Sequence, residues 1–256
     1  MKRLLLRGRL LHSVENFNGY LWVIGGSIYS HTDHDGTIIV RYINDVWRSP
    51  DGVSWQRISA SAPFAPAGTT KGHYATAVFK NALWVIGGEN ENYDKTSDVW
   101  RTYNGFTWQK VTVAPFTGRF TSQSNSIYGN LWITGGITQD FTNDVWNSDD
   151  GINWTQVLPA PPFAGRSENP QGNGFEERND VWRTYNGTDW EQVSVIPFES
   201  HSPHTAVVFD DALWLGSGRD NMISFGMTYG KVILDSEFFD YRLGSAATVF
   251  NGEVWI

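Results

Sequence analysis

Basic and polar residues recur at fixed distances before the most apolar segments of the chain, where they could bind an anion. Twelve residues before the leucine or valine that starts each segment stand Arg9, Lys71, Arg119, His201 and Arg242. Nine residues before it stand His12, Tyr74, Ser122, His204 and Ser245. Arg166 has the same Pro-Phe-Ala-Gly context as the first column. Because a guanidinium group pairs with a carboxylate through two parallel hydrogen bonds, these residues predict either a site for an acidic ligand or bridges to an aspartate of a neighbouring repeat.

The sequence offers little for other kinds of chemistry. The chain contains no cysteine, which excludes thiolate catalysis, cysteine-ligated zinc and iron–sulfur clusters. The tract His31-Thr32-Asp33-His34-Asp35 has the side chains of a weak divalent-metal site, but such a tract more often forms a solvated loop. We therefore predict no catalytic residue, no metal ion and no cofactor.

The composition narrows the class of protein. The 256-residue chain has a net charge of −8, which argues against a nucleic-acid-binding surface. No stretch approaches the ~18 apolar residues of a membrane span, and Arg7 and Arg9 interrupt the apolar run that a signal peptide needs. The 13 tryptophans and 26 glycines favour short strands joined by tight turns. No window keeps the apolar spacing of an amphipathic helix.

A hairpin pattern with two tryptophans recurs along the chain. Asp-Val-Trp begins at Asp45, Asp98, Asp144 and Asp180. A second tryptophan follows each first one, at Trp55, Trp108, Trp154 and Trp190. Between the two tryptophans lies an Asp-Gly or Asn-Gly pair, which accepts a positive φ at both positions and predicts a type I′ turn between two strands. We interpret the tryptophans as packing residues and the repeated aspartate as a structural group at the start of a strand.

A second apolar segment, which ends in glycine, accompanies the hairpins. Leu-Trp-Val-Ile-Gly-Gly at residues 21–26 returns at 83–88, in a related form at 131–136, and more loosely at 213–218. A further strand and turn precede it, so each unit holds four short antiparallel strands. The two glycines suit a place where the backbone turns sharply or approaches a neighbour closely. Repeated four-stranded units are typical of a β-propeller.

These repeats resemble the kelch repeat, in which four hydrophobic residues precede Gly-Gly and spaced aromatic residues follow. The variant with Asp-Val-Trp and a second tryptophan is similar to the kelch-like repeats of bacterial proteins and covers almost the whole chain. The resemblance implies an all-β, kelch-type β-propeller of about five four-stranded blades. It also implies that the loops before the innermost strands face one mouth of a central channel. The ligand-binding residues expected at this mouth are Arg9, His12, Lys71, Arg119, Arg166, His201, His204 and Arg242.

The irregular spacing of the repeats predicts an incomplete or irregular ring. We assign one domain, 1–256, with blades at residues 9–60, 71–113, 119–158, 163–195, 201–240 and 242–256. The blade at 163–195 is expected to lack its inner hairpin, and the last blade is partial. Where Asp-Val-Trp is due, residues 226–231 read Gly-Met-Thr-Tyr-Gly-Lys; the codons GGA-ATG-ACG-TAT-GGA-AAA, read two bases later, encode Asn-Asp-Val-Trp-Lys. We therefore hypothesise a frame-shifted blade over Met222–Asp240, in a fragment or decayed copy of a longer array.

Propeller folds host many activities, so two classes of function stay open. The first is a non-catalytic binding scaffold whose channel mouth and loops contact a protein or an acidic small ligand. The second is a kelch-type epimerase or mutarotase acting on an acidic sugar such as sialic acid. The copper site of galactose-oxidase-like kelch enzymes needs a Tyr–Cys crosslink, which this chain cannot form. An enzyme is expected to hold a paired acid and base at one pocket, and a scaffold to show a broad exposed patch. By analogy, we expect an extracellular or cell-envelope location.

Overall fold

The computed structural model consists of short antiparallel strands. It describes residues 9, 11–32, 34, 38–65, 70–90, 92–158, 166–168, 175–177, 180–195, 205–209, 212–216, 248–250 and 253–255. No helix occurs among these residues, and therefore none that could cross a membrane. The predicted all-β class is confirmed for the described part of the chain.

The strands follow one another at short intervals. The first twelve are β1 (Ser13–Phe17), β2 (Tyr20–Ile24), β3 (Ser27–Thr32), β4 (Ile38–Tyr42), β5 (Val46–Ser49), β6 (Gln56–Ser59), β7 (Lys71–Gly72), β8 (Ala75–Phe79), β9 (Ala82–Ile86), β10 (Glu89–Asn90), β11 (Asp98–Thr102) and β12 (Gln109–Val113). The others are β13 (Gln123–Ile127), β14 (Asn130–Ile137), β15 (Phe141–Ser148), β16 (Thr155–Leu158), β17 (Arg166–Glu168), β18 (Phe175–Glu177), β19 (Asp180–Thr184), β20 (Glu191–Val195), β21 (Thr205–Phe209), β22 (Ala212–Gly216), β23 (Thr248–Phe250) and β24 (Glu253–Trp255).

Three four-stranded sheets share one order, in which an inner hairpin is followed by an outer hairpin. Sheet 1 is β1-β2-β5-β6, sheet 2 is β8-β9-β11-β12 in space and sheet 3 is β13-β14-β15-β16. The Asp-Val-Trp strand always pairs with the Leu-Trp strand, so that Trp47 lies opposite Val23 and Trp100 opposite Val85. The Leu-Trp strands are central and buried on both faces, which explains their unbroken apolar runs.

Sheet 4 is assembled in a different chain order. Its spatial order is β20-β19-β22-β21, so the outer hairpin of residues 180–195 pairs with an inner hairpin that follows it in the chain. The sequence predicts that the blade at 163–195 lacks its inner hairpin. In the structure, the hairpin β21–β22, which the sequence places in the blade at 201–240, pairs with β19 at that position. The pairing of Val181 with Gly216 and Trp182 with Leu215 gives β19 backbone partners on both edges.

The innermost strands lie side by side. Strand β8 lies next to β1, β13 next to β8, β21 next to β13, and β23 next to β1. This arrangement of several small antiparallel sheets is compatible with a β-propeller-like fold. Two-stranded pairs complete the described structure, as β3–β4, β7–β10, β17–β18 and β23–β24.

Each sheet has two distinct ends. At the turn end, the inner and outer hairpins reverse direction; at the loop end, the chain enters the first strand and leaves the second strand through the paired glycines. The inner turns of sheets 1 to 3 contain two residues with positive φ, at Asn18-Gly19, Lys80-Asn81 and Tyr128-Gly129, as type I′ turns require.

The outer turns differ from the predicted type I′ geometry. Of the residues Asp51 and Gly52, only the glycine has a positive φ, and six residues separate β5 from β6. The reason is that the Asp51 carboxylate accepts hydrogen bonds from the backbone N–H groups of Val53 and Ser54, at 2.9 and 2.6 Å. These bonds form an Asx-type turn, a role that aspartate and asparagine share. They also lower the pKa of Asp51 to about 2.

The outer turns join neighbouring sheets. Gly105 of sheet 2 has a φ of +77° and lies directly against the Trp22 ring of sheet 1, so a Cβ at this position would overlap the ring. Gly151 lies against Trp84, and Gly187 lies against Trp132, in the same way. The rings of Trp22, Trp84 and Trp132 are buried, and each indole N–H donates to the backbone of its own sheet. Tryptophan and glycine therefore form one repeated contact between sheets.

Candidate functional site

Arg9 lies at the loop end of sheet 1, and its side chain forms hydrogen bonds within that sheet. Its guanidinium group donates to the Asp45 carboxylate at 2.7 and 3.4 Å and to the backbone oxygen of Gly25 at 3.0 Å. Asp45 also accepts a hydrogen bond from the indole N–H of Trp47 at 2.6 Å. Arg9 thus links the segment before β1 to Gly25 and to the Asp-Val-Trp strand.

Arg119 repeats this contact in sheet 3 and is more deeply buried. It is 1% exposed and donates to the Asp144 carboxylate at 2.5 and 3.0 Å and to the oxygens of Gly135 and Thr117. Burial would raise the pKa of Asp144, but hydrogen bonds from Arg119, Trp146 and Thr142 outweigh it and lower the pKa. The bridging alternative from the sequence therefore describes Arg9 and Arg119, with the aspartate in the same sheet rather than in a neighbouring one.

Lys71 occupies the corresponding position in sheet 2 but forms no such bridge. It is 1% exposed, and its ammonium group contacts the hydroxyl group of Thr96. Asp98 pairs instead with Lys110 at 2.8 Å, and the indole N–H of Trp100 has no hydrogen-bond partner. Burial lowers the pKa of Lys71 to about 8, despite the opposing charge of Asp98. A buried cation without a direct carboxylate partner thus replaces the arginine bridge.

The other predicted mouth residues are only partly described. His12 is partly buried and immediately precedes β1. Arg166 begins β17, whose backbone pairs with β18, but its side chain lies outside the described residues. His201, His204 and Arg242 also lie outside the described residues, as does the hypothesised frame-shifted segment Met222–Asp240. Among the described residues, the side chains of Arg9 and Arg119 pair with the aspartate of their own sheet. The backbone of Arg119 also bonds to Gly88 and Thr96 at the loop end of sheet 2.

A second polar cluster at the loop end was missed by sequence reasoning. The Tyr42 hydroxyl group donates to the Glu89 carboxylate at 2.5 Å, and Lys95 pairs with the same carboxylate at 3.3 Å. Burial, and then the hydrogen bond to Glu89, raise the pKa of Tyr42. The His73 ring meets Tyr42 edge-on at 4.8 Å, and its Nδ1 atom has no hydrogen-bond partner. No sequence motif links Tyr42 with Glu89, because only the folded chain brings β4 against β10.

The innermost strands carry one notable carboxyl group. Glu15 of β1 accepts a hydrogen bond from the Thr76 hydroxyl group of β8 at 2.7 Å. Burial raises the pKa of Glu15 to about 7, although the bond from Thr76 acts in the opposite direction. Among the described residues, no group of three or more histidine, aspartate and glutamate side chains is placed to hold a metal ion.

The turn end exposes aromatic and apolar side chains from all four sheets. The residues that share this exposure are Val53, Tyr103, Phe106, Tyr128, Ile152 and Tyr185. Tyr103 and Phe106 are 57% and 55% exposed, although aromatic side chains of this size usually lie in cores or interfaces. A shallow depression of about 250 Å³ lies beside them, lined by residues 101–104 and 107–109.

Arginines accompany these aromatic rings. Arg101 lies over the Tyr103 ring at 5.3 Å, and Arg183 lies over the Tyr185 ring at 5.4 Å. Arg48 of sheet 1 lies over the ring of Phe106 of sheet 2 at 5.0 Å. The available sequence signal was the pentapeptide Arg-Thr-Tyr-Asn-Gly, which occurs twice, at residues 101–105 and 183–187. A group of neighbouring aromatic and guanidinium side chains is typical of a protein-binding surface.

Comparison with known proteins supports the fold. No protein-family model matches the chain, and no curated protein matches it. Solved structures do match, among them that of YjhT, with a TM-score of 0.59 and 16% sequence identity. The match covers 80% of this chain and 76% of that one. At this level of identity the similarity concerns the fold alone.

Proposed function

We propose that the protein is a kelch-type propeller that acts as a non-catalytic binding scaffold, and that its turn end contacts a partner protein. The observation that carries this proposal is the group of exposed aromatic side chains beside arginines on sheets 1 and 2. Tyr103 and Phe106 project from the outer turn of sheet 2, and Arg48 reaches Phe106 from sheet 1. Aromatic residues and arginine supply most of the binding energy in protein interfaces.

The two ends of the sheets differ in what they leave available to a partner. At the loop end, the guanidinium groups of Arg9 and Arg119 pair with Asp45 and Asp144 within the fold, so these carboxylates already occupy them. At the turn end, the rings are held by the backbone of rigid hairpins but remain open to solvent. Preorganised, exposed rings lose little conformational entropy on binding, which favours their use as anchors.

Site-specific photo-crosslinking tests the proposal. Benzoylphenylalanine in place of Tyr103 should capture a partner in a native extract, because the ring lies in the proposed interface. The matched control is Tyr93, which is 73% exposed at the loop end of the same sheet. The captured protein, once identified, should bind the purified chain and lose affinity when Tyr103 and Phe106 are both replaced by serine. Capture at Tyr93 alone, or at neither position, would contradict the proposal.

A second candidate function rests on Glu15. A carboxyl group with a pKa of about 7 can both accept and donate a proton near neutral pH, which suits the ring opening and closing of a sugar. This supports the alternative of an epimerase or mutarotase acting on an acidic sugar. The test is the rate of anomer exchange of N-acetylneuraminic acid, measured by NMR. Acceleration that is lost in a Glu15→Gln variant supports catalysis, and an unaccelerated rate with the wild-type chain excludes it.

A further inference from the structure

The two arginines nearest the exposed aromatic rings are held by neutral side chains. Arg48 donates to the amide oxygen of Gln56 through Nε and Nη2, both at 3.3 Å. Arg101 donates to Gln109 in the same way, at 3.4 and 3.3 Å. Within the described part of the chain, no carboxylate pairs with either arginine. Both guanidinium groups are therefore oriented by hydrogen bonds while their charges remain uncompensated.

Sheet 4 carries the same pentapeptide with the charge neutralised. Arg183 corresponds to Arg101, and Glu191 occupies the position of Gln109. Arg183 donates through Nε to the Glu191 carboxylate at 3.0 Å, and its Nη2 atom lies 3.0 Å from the same oxygen. The hydrogen bond to Glu191 raises the pKa of Arg183. The chain therefore contains hairpins of both kinds, which differ in whether the arginine already has a carboxylate partner.

The uncompensated arginines belong to one continuous surface. The Arg48 guanidinium group lies over the rings of Tyr20 and Phe106, at 4.4 and 5.0 Å. The side-chain amide of Asn18 donates to the backbone oxygen of Tyr103 at 3.1 Å, so the inner turn of sheet 1 is bonded to the outer turn of sheet 2. We call this surface, formed by Arg48, Arg101, Tyr103 and Phe106, the arginine–aromatic patch.

Charge elsewhere on the turn end makes the patch distinct. The outer turn of sheet 1 carries one aspartate, Asp51, whereas that of sheet 3 carries two, Asp149 and Asp150. In sheet 3, Asn147 also stands where sheet 2 has Arg101. The outer turn of sheet 4 carries Asp189 beside Glu191. Because the whole chain has a net charge of −8, an acidic partner is repelled by most of the surface and attracted to this patch.

We propose that the partner presents an acidic peptide segment, whose carboxylates pair with Arg48 and Arg101 and whose apolar side chains contact Tyr103 and Phe106. This inference rests on the proposed binding function and specifies the chemistry of the partner. Arginine held in a fixed orientation favours bidentate pairing with a carboxylate. Because the glutamine partners are neutral, each guanidinium group keeps its positive charge. Its remaining N–H groups are available to bind a carboxylate.

A single substitution tests the inference with little risk to the fold. Gln109→Glu gives Arg101 the intramolecular carboxylate that Arg183 has in sheet 4, so the hairpin geometry is already represented in the protein. The probe is a fluorescein-labelled copolymer of glutamate and tyrosine, measured by fluorescence anisotropy at low salt. We expect Gln109→Glu to weaken binding at least tenfold. We also expect affinity to fall with added salt, and an uncharged copolymer of glutamine and tyrosine not to bind.

Thr155→Glu is the matched control. Thr155 lies opposite Asn147 in sheet 3, so this variant adds the same charge at the equivalent register position without an arginine to neutralise. It should change affinity less than twofold, and thermal unfolding followed by circular dichroism should show that both variants remain folded. Absence of binding to the wild-type chain, or equal binding by Gln109→Glu, would overturn the inference. If photo-crosslinking at Tyr103 still captures a partner in that case, the scaffold function stands and only the acidic chemistry fails.

Discussion

At the loop end, Arg119 is 1% exposed and its guanidinium group lies against Asp144, whereas at the turn end Arg101 lies at the surface beside Gln109 and Tyr103. Both arginines belong to the repeat, and both are oriented by hydrogen bonds. The difference lies in burial and in the charge of the partner. Removal of a buried, paired cation leaves a carboxylate without compensation, whereas a partly exposed cation with a neutral partner contributes less to stability and remains available to a ligand. The comparison predicts that fold and binding depend on separate sets of arginines.

The largest effect is expected from Arg119→Ala. The variant leaves the Asp144 carboxylate buried without its cation, so the free energy of unfolding should fall by about 3–5 kcal/mol. Urea denaturation followed by tryptophan fluorescence measures this change. Arg101→Ala is the matched variant at the turn end, and its free energy of unfolding should change by less than about 1 kcal/mol. A similar loss in both variants would remove the distinction between the two ends.

The outer turns of the turn end also have a structural task, which Gly105→Ala isolates. A Cβ at residue 105 would overlap the Trp22 ring, and φ is +77°, so the free energy of unfolding should fall by about 2–4 kcal/mol. Gly19 has a similar φ of +74° but no neighbouring atom within 4 Å, so Gly19→Ala should cost only about 1 kcal/mol. Equal losses in the two variants would show that backbone strain alone, and not the contact between sheets, determines the cost.

Glu15, a partly buried acidic group that is hydrogen-bonded to a neutral hydroxyl group, should behave differently from Asp144. The pKa of Glu15 is raised from its ordinary value of 4.5 to about 7, so the folded state binds the proton more tightly than the unfolded state. Its stabilising contribution is therefore complete below pH 4.5 and is lost as the pH rises to about 7. We expect this contribution to reach up to about 3 kcal/mol.

The variant Glu15→Gln removes this dependence and serves as the reference. A reference is needed because burial lowers the pKa of His73 to about 4, which makes stability rise with pH over part of the same range. The measurement is the difference in free energy of unfolding between the wild-type chain and the variant, from pH 4 to pH 8. A difference that does not depend on pH would contradict the raised pKa of Glu15.

The smallest effect is expected at the remaining loop-end position. Lys71→Arg supplies the side chain that pairs with aspartate in sheets 1 and 3, so it should increase the free energy of unfolding by about 1 kcal/mol. The indole N–H of Trp100 should then donate a hydrogen bond to the Asp98 carboxylate. The equivalent indole groups of Trp47 and Trp146 donate to Asp45 and Asp144. Chemical denaturation measures the change in the free energy of unfolding. A decrease would show that this site accommodates lysine better than arginine.

Features that depend on residues close together in the chain could be predicted from the sequence. The hairpins around Trp47 and Trp100 follow from the paired tryptophans with an Asp-Gly or Asn-Gly pair between them, and the all-β class follows from the repeated units. The residue count that aligns Arg9 with Arg119 identified equivalent positions, but not whether the side chains face solvent or an aspartate. The type I′ prediction at Asp51-Gly52 failed because the same two residues also suit an Asx-type turn, and the length of the loop selects between them.

Long-range contacts were beyond the reach of sequence reasoning. The pair Tyr42 and Glu89 depends on how the β3–β4 hairpin lies against β10, for which no local pattern exists. The pairing of β19 with β22 reverses the chain order that the other sheets follow, and the spacing of the repeats does not encode which hairpins pair. The roles of Gln109 and Glu191 became visible only when the strand register placed each opposite its arginine.

Hydrogen–deuterium exchange of the wild-type chain, with and without the saturating glutamate–tyrosine copolymer, tests the separation of fold and binding most directly. We predict slower exchange in peptides that cover residues 46–56 and 101–109, where the arginine–aromatic patch lies, and unchanged exchange in peptides that cover residues 71–76 and 119–123. Protection of the loop-end peptides, with none at the turn end, would contradict the account and return the binding site to the predicted channel mouth.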